Sequence, residues 1–274
     1  MNVKKLSGEL VEFDEFSLKA SLKRSGANDE QVDIILAEIR SMLYDGISTG
    51  LFYEKAFELL KNMKHSFAAR YSLKKALRDL GPEGYYFEKW VTKLFQTQGF
   101  KAISGQTLQG EAVSHEIDVV AAKGDRLILC ECKFRNDVEA KISVTTPMYF
   151  LSRFNDLKNL KFEYFGLEMS PTDGYMVTNA YMTSDSIAFA EKYNIQLISW
   201  DYPDNLNIKQ LVDDYKFYPV TCLTTLTFEE RTILLEKNCI LIKDIVQNPV
   251  LLDHFKFEEE RQNIILEEAN DLML

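Results

Sequence analysis

Ile117-Asp118-Val119-Val120-Ala121 and Leu127-Ile128-Leu129-Cys130-Glu131-Cys132-Lys133 are two β-favouring apolar runs. Between them lies Ala122-Lys123-Gly124-Asp125, with the Gly and Asp that a tight hairpin turn needs. The two runs are therefore expected to pair as antiparallel strands. A two-residue turn at Gly124-Asp125 sets Lys123 opposite Arg126, Ala121 opposite Ile128 and Asp118 opposite Glu131. A turn at Lys123-Gly124 sets Asp118 opposite Leu129 and diagonal to Glu131, and a three-residue loop sends the two acids to opposite faces. Side chains alternate along a strand, so Glu131 and Lys133 share one face while Cys130 and Cys132 share the other, where they read as core.

An acid on one strand followed by acid-x-lysine on the next is what metal-dependent phosphodiester cleavage asks for. Asp118 and Glu131 are hard oxygen donors suited to Mg²⁺ or Mn²⁺, ions that keep several waters and bridge to phosphate. Such an ion lowers the pKa of bound water and offsets charge on the phosphorus oxygens. Lys133 beside it would orient the attacking water and stabilise the same charge. Glu88 is the candidate auxiliary ligand, on a predicted helix whose Phe87, Val91, Leu94 and Phe95 form a packed stripe. Acid-x-lysine on a strand is, taken alone, usually a solvated face. The hairpin register and the segment order (helix, two or three strands, helix, strand) reverse that reading.

Gly84-Tyr85-Tyr86-Phe87-Glu88, Gly99-Phe100, Glu116–Ala121 and Glu131-Cys132-Lys133-Phe134, followed by Gly174–Asn179, Thr183–Ala190 and Ile195–Pro203, resemble the PD-(D/E)xK nucleases. Within them the likeness is to the Mrr-type restriction endonuclease domain, over roughly residues 80–204. Ile117 stands where the name-giving motif has proline. The resemblance implies an α/β fold with a mixed sheet and helices on both faces. It also implies catalysis by Asp118, Glu131 and Lys133, metal held by Glu88, Asp118 and Glu131, and endonucleolytic cleavage of double-stranded DNA, modified DNA included. A branched-DNA resolvase shares the same residues. The alternative from another class is a non-cutting, nucleotide-regulated DNA sensor.

Residues Val3–Asp14 read as two short strands with a turn at Ser7-Gly8. An N-cap at Asp14 then opens an amphipathic helix closed by Gly26. Val32, Ile35, Leu36, Ile39 and Leu43 follow helical spacing, as do Phe52, Ala56, Leu59 and Leu60. Arg70–Leu80 reads as another helix, and Gly81-Pro82-Glu83-Gly84 breaks the chain. The pattern is similar to the ATP-cone, a small nucleotide-binding regulatory module, with Lys5 and Gly8 on the motif positions and Lys4 beside them. Leu6 and Ser17 stand where that module has basic residues. The resemblance implies ATP or dATP as an effector bound through Lys4, Lys5 and Gly8, acting on oligomeric state, such as a homodimer, or on access to the cleft. Hydrolysis is not expected, because no GxxxxGK loop occurs in the chain.

The chain is thus read in three parts: a mostly helical regulator with a small β-hairpin (1–80), a nuclease-like core (81–218) and a helical tail (219–274). The tail suits either packing and dimerisation or a helix-hairpin-helix that grips a DNA backbone through main-chain amides. A net charge of -10 is awkward for a DNA enzyme, so phosphate contacts must come from local clusters. Lys61, Lys64, Arg70, Lys74, Lys75 and Arg78 form one, and Lys133, Arg135 and Lys141 another. Neither the cysteines nor the histidines are spaced as a zinc site, and His115 reads as a turn residue near the first motif strand. No signal peptide or membrane-length apolar run is present, which implies a cytoplasmic protein.

Overall fold

The computed structural model describes residues 1–5 and 7–274; Leu6, one of the two departures from the ATP-cone pattern, lies outside the described residues. The chain divides into two compact units, residues 1–76 with 220–274, and residues 77–219. In the first, β1 (Asn2–Lys4) pairs antiparallel with β2 (Leu10–Glu12). The Asp14 carboxylate accepts the Ser17 backbone N–H and opens α1 (Glu15–Arg24), and Asn28 and Gln31 form a capping box on α2 (Asp29–Met42). A two-residue strand, β3 (Ile47–Ser48), adds parallel to β1 and is too short for any sequence period to reveal. α3 (Thr49–Met63) and α4 (His65–Tyr71) follow. Leu22, Val32, Ile35, Ile39, Ala56 and Leu60 are fully buried in one apolar core, as the helical spacing predicts. The helix expected from Arg70 to Leu80 is instead interrupted at Ser72, whose hydroxyl bonds back to the Ala69 carbonyl, and resumes as α5 (Leu73–Arg78).

The second unit is a mixed sheet flanked by helices, the α/β class expected. α6 (Tyr85–Thr97) precedes the meander β4 (Lys101–Gln109), β5 (Ser114–Lys123) and β6 (Arg126–Lys133). After β7 (Lys141–Ile142) and α7 (Thr145–Leu157) come the hairpin β8 (Phe162–Tyr164) and β9 (Leu167–Met169), then β10 (Asp173–Thr178), β11 (Tyr181–Met182), α8 (Ser184–Lys192), β12 (Ile195–Ile198) and α9 (Ile208–Tyr215). The main sheet has the order β12-β10-β6-β5-β4. Its β4, β5 and β6 are antiparallel, whereas β10 and β12 run parallel to β6. β7 pairs separately with β11. α6 packs against β4, β5 and β6, and α7 packs against β10 and α8. Phe87 and Trp90 on α6 are completely buried, which stabilises the helix on the sheet by about 1.5–3 kcal/mol for each such side chain.

The chain then returns to the first unit with α10 (Phe228–Glu236), α11 (Ile242–Gln247) and α12 (Glu259–Met273). The segment read as a tail thereby shares a unit with residues 1–76. Thr221 Oγ1 donates to the Ala76 carbonyl at 2.6 Å and Arg70 donates to the Asp271 carbonyl at 2.7 Å. Between α10 and α11 the Ile240 and Leu241 backbone amides both donate to Asp244, so they are not offered to a DNA backbone.

Candidate active site

The hairpin takes the Gly124-Asp125 turn. Lys123 pairs with Arg126, Ala121 with Ile128 and Val119 with Cys130, one residue short of Asp118 and Glu131. The ladder stops there. On the other side of β5, pairing with β4 also lapses at Asp118, between Ser104↔Val119 and Gln106↔Ile117. The β4 residue at the gap is Gly105, whose φ of 63° lies in the left-handed region that suits glycine. Ile117 and Val120 join one apolar cluster with Leu129 and Leu157 although they lie three residues apart, so the strand's alternation slips across Asp118-Val119. The Asp118 carboxylate accepts the Cys132 backbone N–H at 2.6 Å.

Glu131 is 2% exposed. A buried carboxylate needs cationic partners, and it has two: Lys133 Nζ lies 2.6 Å from Oε1 and Arg153 Nη1 lies 2.6 Å from Oε2. Lys133 was expected here, whereas Arg153, on α7, belongs to no local motif. The general requirement for a counter-ion was readable from a buried acid; which helix supplies it was not.

Glu88 stands in the first turn of α6, and the start of that helix is seated against the end of β6. Gly84 caps the helix with φ 88°, and a Cβ there would stand 3.1 Å from the Cβ of Phe134. The Phe134 ring presses on Gly81, where an added Cβ would meet it at 2.6 Å, and lies 5.8 Å from the Phe87 ring. Phe134 directly follows Lys133, so one aromatic residue ties the acid-x-lysine strand to the first turn of α6.

Electrostatics reports the result. Burial, followed by repulsion from Asp118, Glu116 and Glu131, pushes the Glu88 carboxyl up to about 7. Burial and Glu131 push Asp118 up to about 6, against the opposing pull of the Cys132 amide, Lys133 and Arg153. Crowded carboxylates that hold protons this strongly are a donor set that a divalent cation relieves, and hard oxygen donors suit Mg²⁺ or Mn²⁺. Among the described residues, however, no three His, Cys, Asp or Glu side chains stand together as a ready-made metal cage.

Other residues singled out from sequence fall elsewhere. Cys130 and Cys132 are buried, and burial pushes both thiols up, as expected of core cysteines. His115 Nε2 lies 2.7 Å from Asp156 Oδ2, and the same carboxylate accepts the Ala112 and Val113 amides, so this pair anchors the β4–β5 turn. The Arg135 backbone is bridged by Asn179, and Lys141 is exposed on β7. In the first unit Gly8 has φ 90°, Lys5 pairs with Glu9 at 2.8 Å, Lys4 is exposed and Ser17 belongs to the α1 cap. Among the described residues no helix is long and apolar enough to cross a membrane.

Comparison with known proteins agrees with this geometry. Residues 81–161 match the family model of the archaeal Holliday junction resolvase (hjc), and residues 218–273 match the AF1548-like C-terminal family. An uncharacterized protein of Archaeoglobus fulgidus is 29% identical over 133 residues, 48% of this chain and 71% of that protein. The crystal structure of AF1548, a protein of unknown function, superposes with a TM-score of 0.55 at 25% identity, covering 69% of this chain and 97% of the other. The chain is therefore similar to archaeal Holliday junction resolvases over residues 81–161 and to the AF1548-like C-terminal family over residues 218–273.

Proposed function

We propose that the protein is an endonuclease that hydrolyses phosphodiester bonds of double-stranded DNA, with branched duplexes as its preferred substrate. The observation that carries this reading is the 2.6 Å contact of Lys133 on Glu131 beside the Asp118 carboxylate, which holds the amide of the next residue, Cys132, within the segment similar to archaeal Holliday junction resolvases. Asp118, Glu88 and Glu131 would hold Mg²⁺ or Mn²⁺. When bound, such an ion supplies Lewis-acid polarisation of a phosphate oxygen and a more acidic water. The Cys132 amide keeps the Asp118 carboxylate oriented. Lys133, held by Glu131 and partly open to solvent, presents its ammonium to the charge that grows on the phosphate oxygens.

Incubating the purified chain with Mg²⁺ on a four-way junction, a linear duplex and methylated plasmid tests the reading. We expect cutting of the junction, lost in Asp118→Ala and in Lys133→Ala while both variants stay folded. Cutting that survives in either variant rules out the assignment. Preference for the methylated plasmid would favour the modified-DNA restriction implied by the Mrr-type resemblance.

A non-cutting DNA sensor is the second reading, favoured by the engagement of both Glu131 oxygens with cations. Calorimetric titration with Mg²⁺ separates the two, since a sensor binds no ion or binds it equally well in Asp118→Asn. Control by ATP or dATP through Lys4, Lys5 and Gly8 is supported by the hairpin around Gly8. If it operates, adding ATP changes the elution volume of the protein or its cutting rate, and an unchanged profile with unchanged cutting removes the effector and any nucleotide-driven dimer from the proposal.

A further inference from the structure

Arg153 contacts Glu131 through Nη1, and its Nε is buried with no hydrogen-bond partner among the described residues. A guanidinium presents its N–H groups as a rigid planar fork, and the Nε side of that fork matches two oxygens of a phosphate. A buried donor without an acceptor calls for an acceptor from outside the chain. The guanidinium carbon also lies 5.5 Å from the centre of the Tyr149 ring, so the Arg153 side chain, 11% exposed, sits between a buried acid and a ring that is 62% exposed. Glu131 keeps Lys133 on its other oxygen, so Arg153 can leave without stranding a bare buried charge.

We propose that Arg153 is a phosphate-binding residue: it rests on Glu131 in the free protein and passes its fork to a DNA phosphodiester when substrate arrives, with the exposed Tyr149 ring beside it. The proposal rests on the nuclease reading above. It competes with a purely structural role for Arg153 as counter-ion to Glu131. The two differ in what DNA binding measures, because an arginine that contacts phosphate contributes to the salt dependence of affinity and a structural one does not.

The experiment is binding of the full chain to a labelled four-way junction in chelator at several salt concentrations, alongside cleavage kinetics in Mg²⁺ and thermal unfolding. In Arg153→Gln we expect affinity about 10-fold weaker, a slope of log affinity against log salt shallower by about one unit, and a KM raised by a similar factor with kcat little changed. Arg153→Lys should recover the slope and only part of the affinity, because a point charge replaces the fork. Wild-type affinity and slope in Arg153→Gln, with only a lowered melting temperature, overturn the proposal. If Arg153→Gln does not fold, Arg153→Lys decides, and full wild-type affinity in it has the same force. Wild-type protein that cuts no DNA instead sinks the nuclease reading, whereas cutting by Arg153→Gln at the wild-type KM sinks this inference alone.

Discussion

Glu88 and Asp118 hold their protons more tightly folded than unfolded, because burial and neighbouring acids raise both above the ordinary carboxyl value of about 4. The folded protein therefore binds protons that the unfolded chain has released, and the resulting stabilisation is fully present below the unfolded value and fades as pH rises through about 6 to 7. Metal-free protein should lose stability between pH 5 and pH 8. Glu88→Gln should flatten that profile, raising stability at pH 8 by on the order of 1 kcal/mol and less at pH 5, measured by urea unfolding in chelator. An unchanged slope in Glu88→Gln would remove the residue from the cluster. The same protons must leave before a cation binds, so Mg²⁺ affinity by calorimetry should climb over this range, and equal affinity at pH 5.5 and pH 8 would contradict it.

At the scale of the element, the site depends on how α6 meets the end of β6. Gly84 both adopts a left-handed φ and lets Phe134 approach, so a side chain there meets backbone strain and a close contact together. Gly84→Ala should cost about 1–2 kcal/mol from the conformational penalty alone. It should also shift the first turn of α6 and lower cutting, although Glu88 itself is untouched. Denaturant unfolding paired with a cleavage assay checks this, and wild-type stability would show that the turn can be formed without glycine. The β4–β5 kink is a second such device. Gly105 stands where the ladder lapses, opposite the strand position that carries Asp118.

At the scale of the molecule, the C-terminal segment is part of the structure that contains the N-terminus. Glu268 on α12 is 2% exposed and accepts from the backbone amides and hydroxyls of Thr224 and Thr225. Thr224 in turn contacts His65 through its hydroxyl and Lys61 through its carbonyl. The acid therefore joins α12, the loop before α10 and the α3–α4 region. Glu268→Ala leaves several buried donors unpaired and should lower the stability of this unit by about 3 kcal/mol. Urea unfolding followed by circular dichroism would read the loss, and a change under 1 kcal/mol would mean that water replaces the carboxylate.

Short-range chemistry was written in the chain. The hairpin itself and its Gly124-Asp125 turn were legible as one of three registers, and the structure takes the one that sets Val119 opposite Cys130, where a one-residue slip would turn apolar side chains outward. The caps at Asp14 and Asn28 and the stripe of α6 were legible for the same local reason. Only the tertiary structure decided that Arg153 is the second cation on Glu131, that Phe134 packs on the start of the helix that carries Glu88, and that residues 220–274 complete the unit begun by residues 1–76. Those choices join side chains far apart along the chain, where no period or turn rule relates them and packing alone selects among many equivalent cations and aromatics.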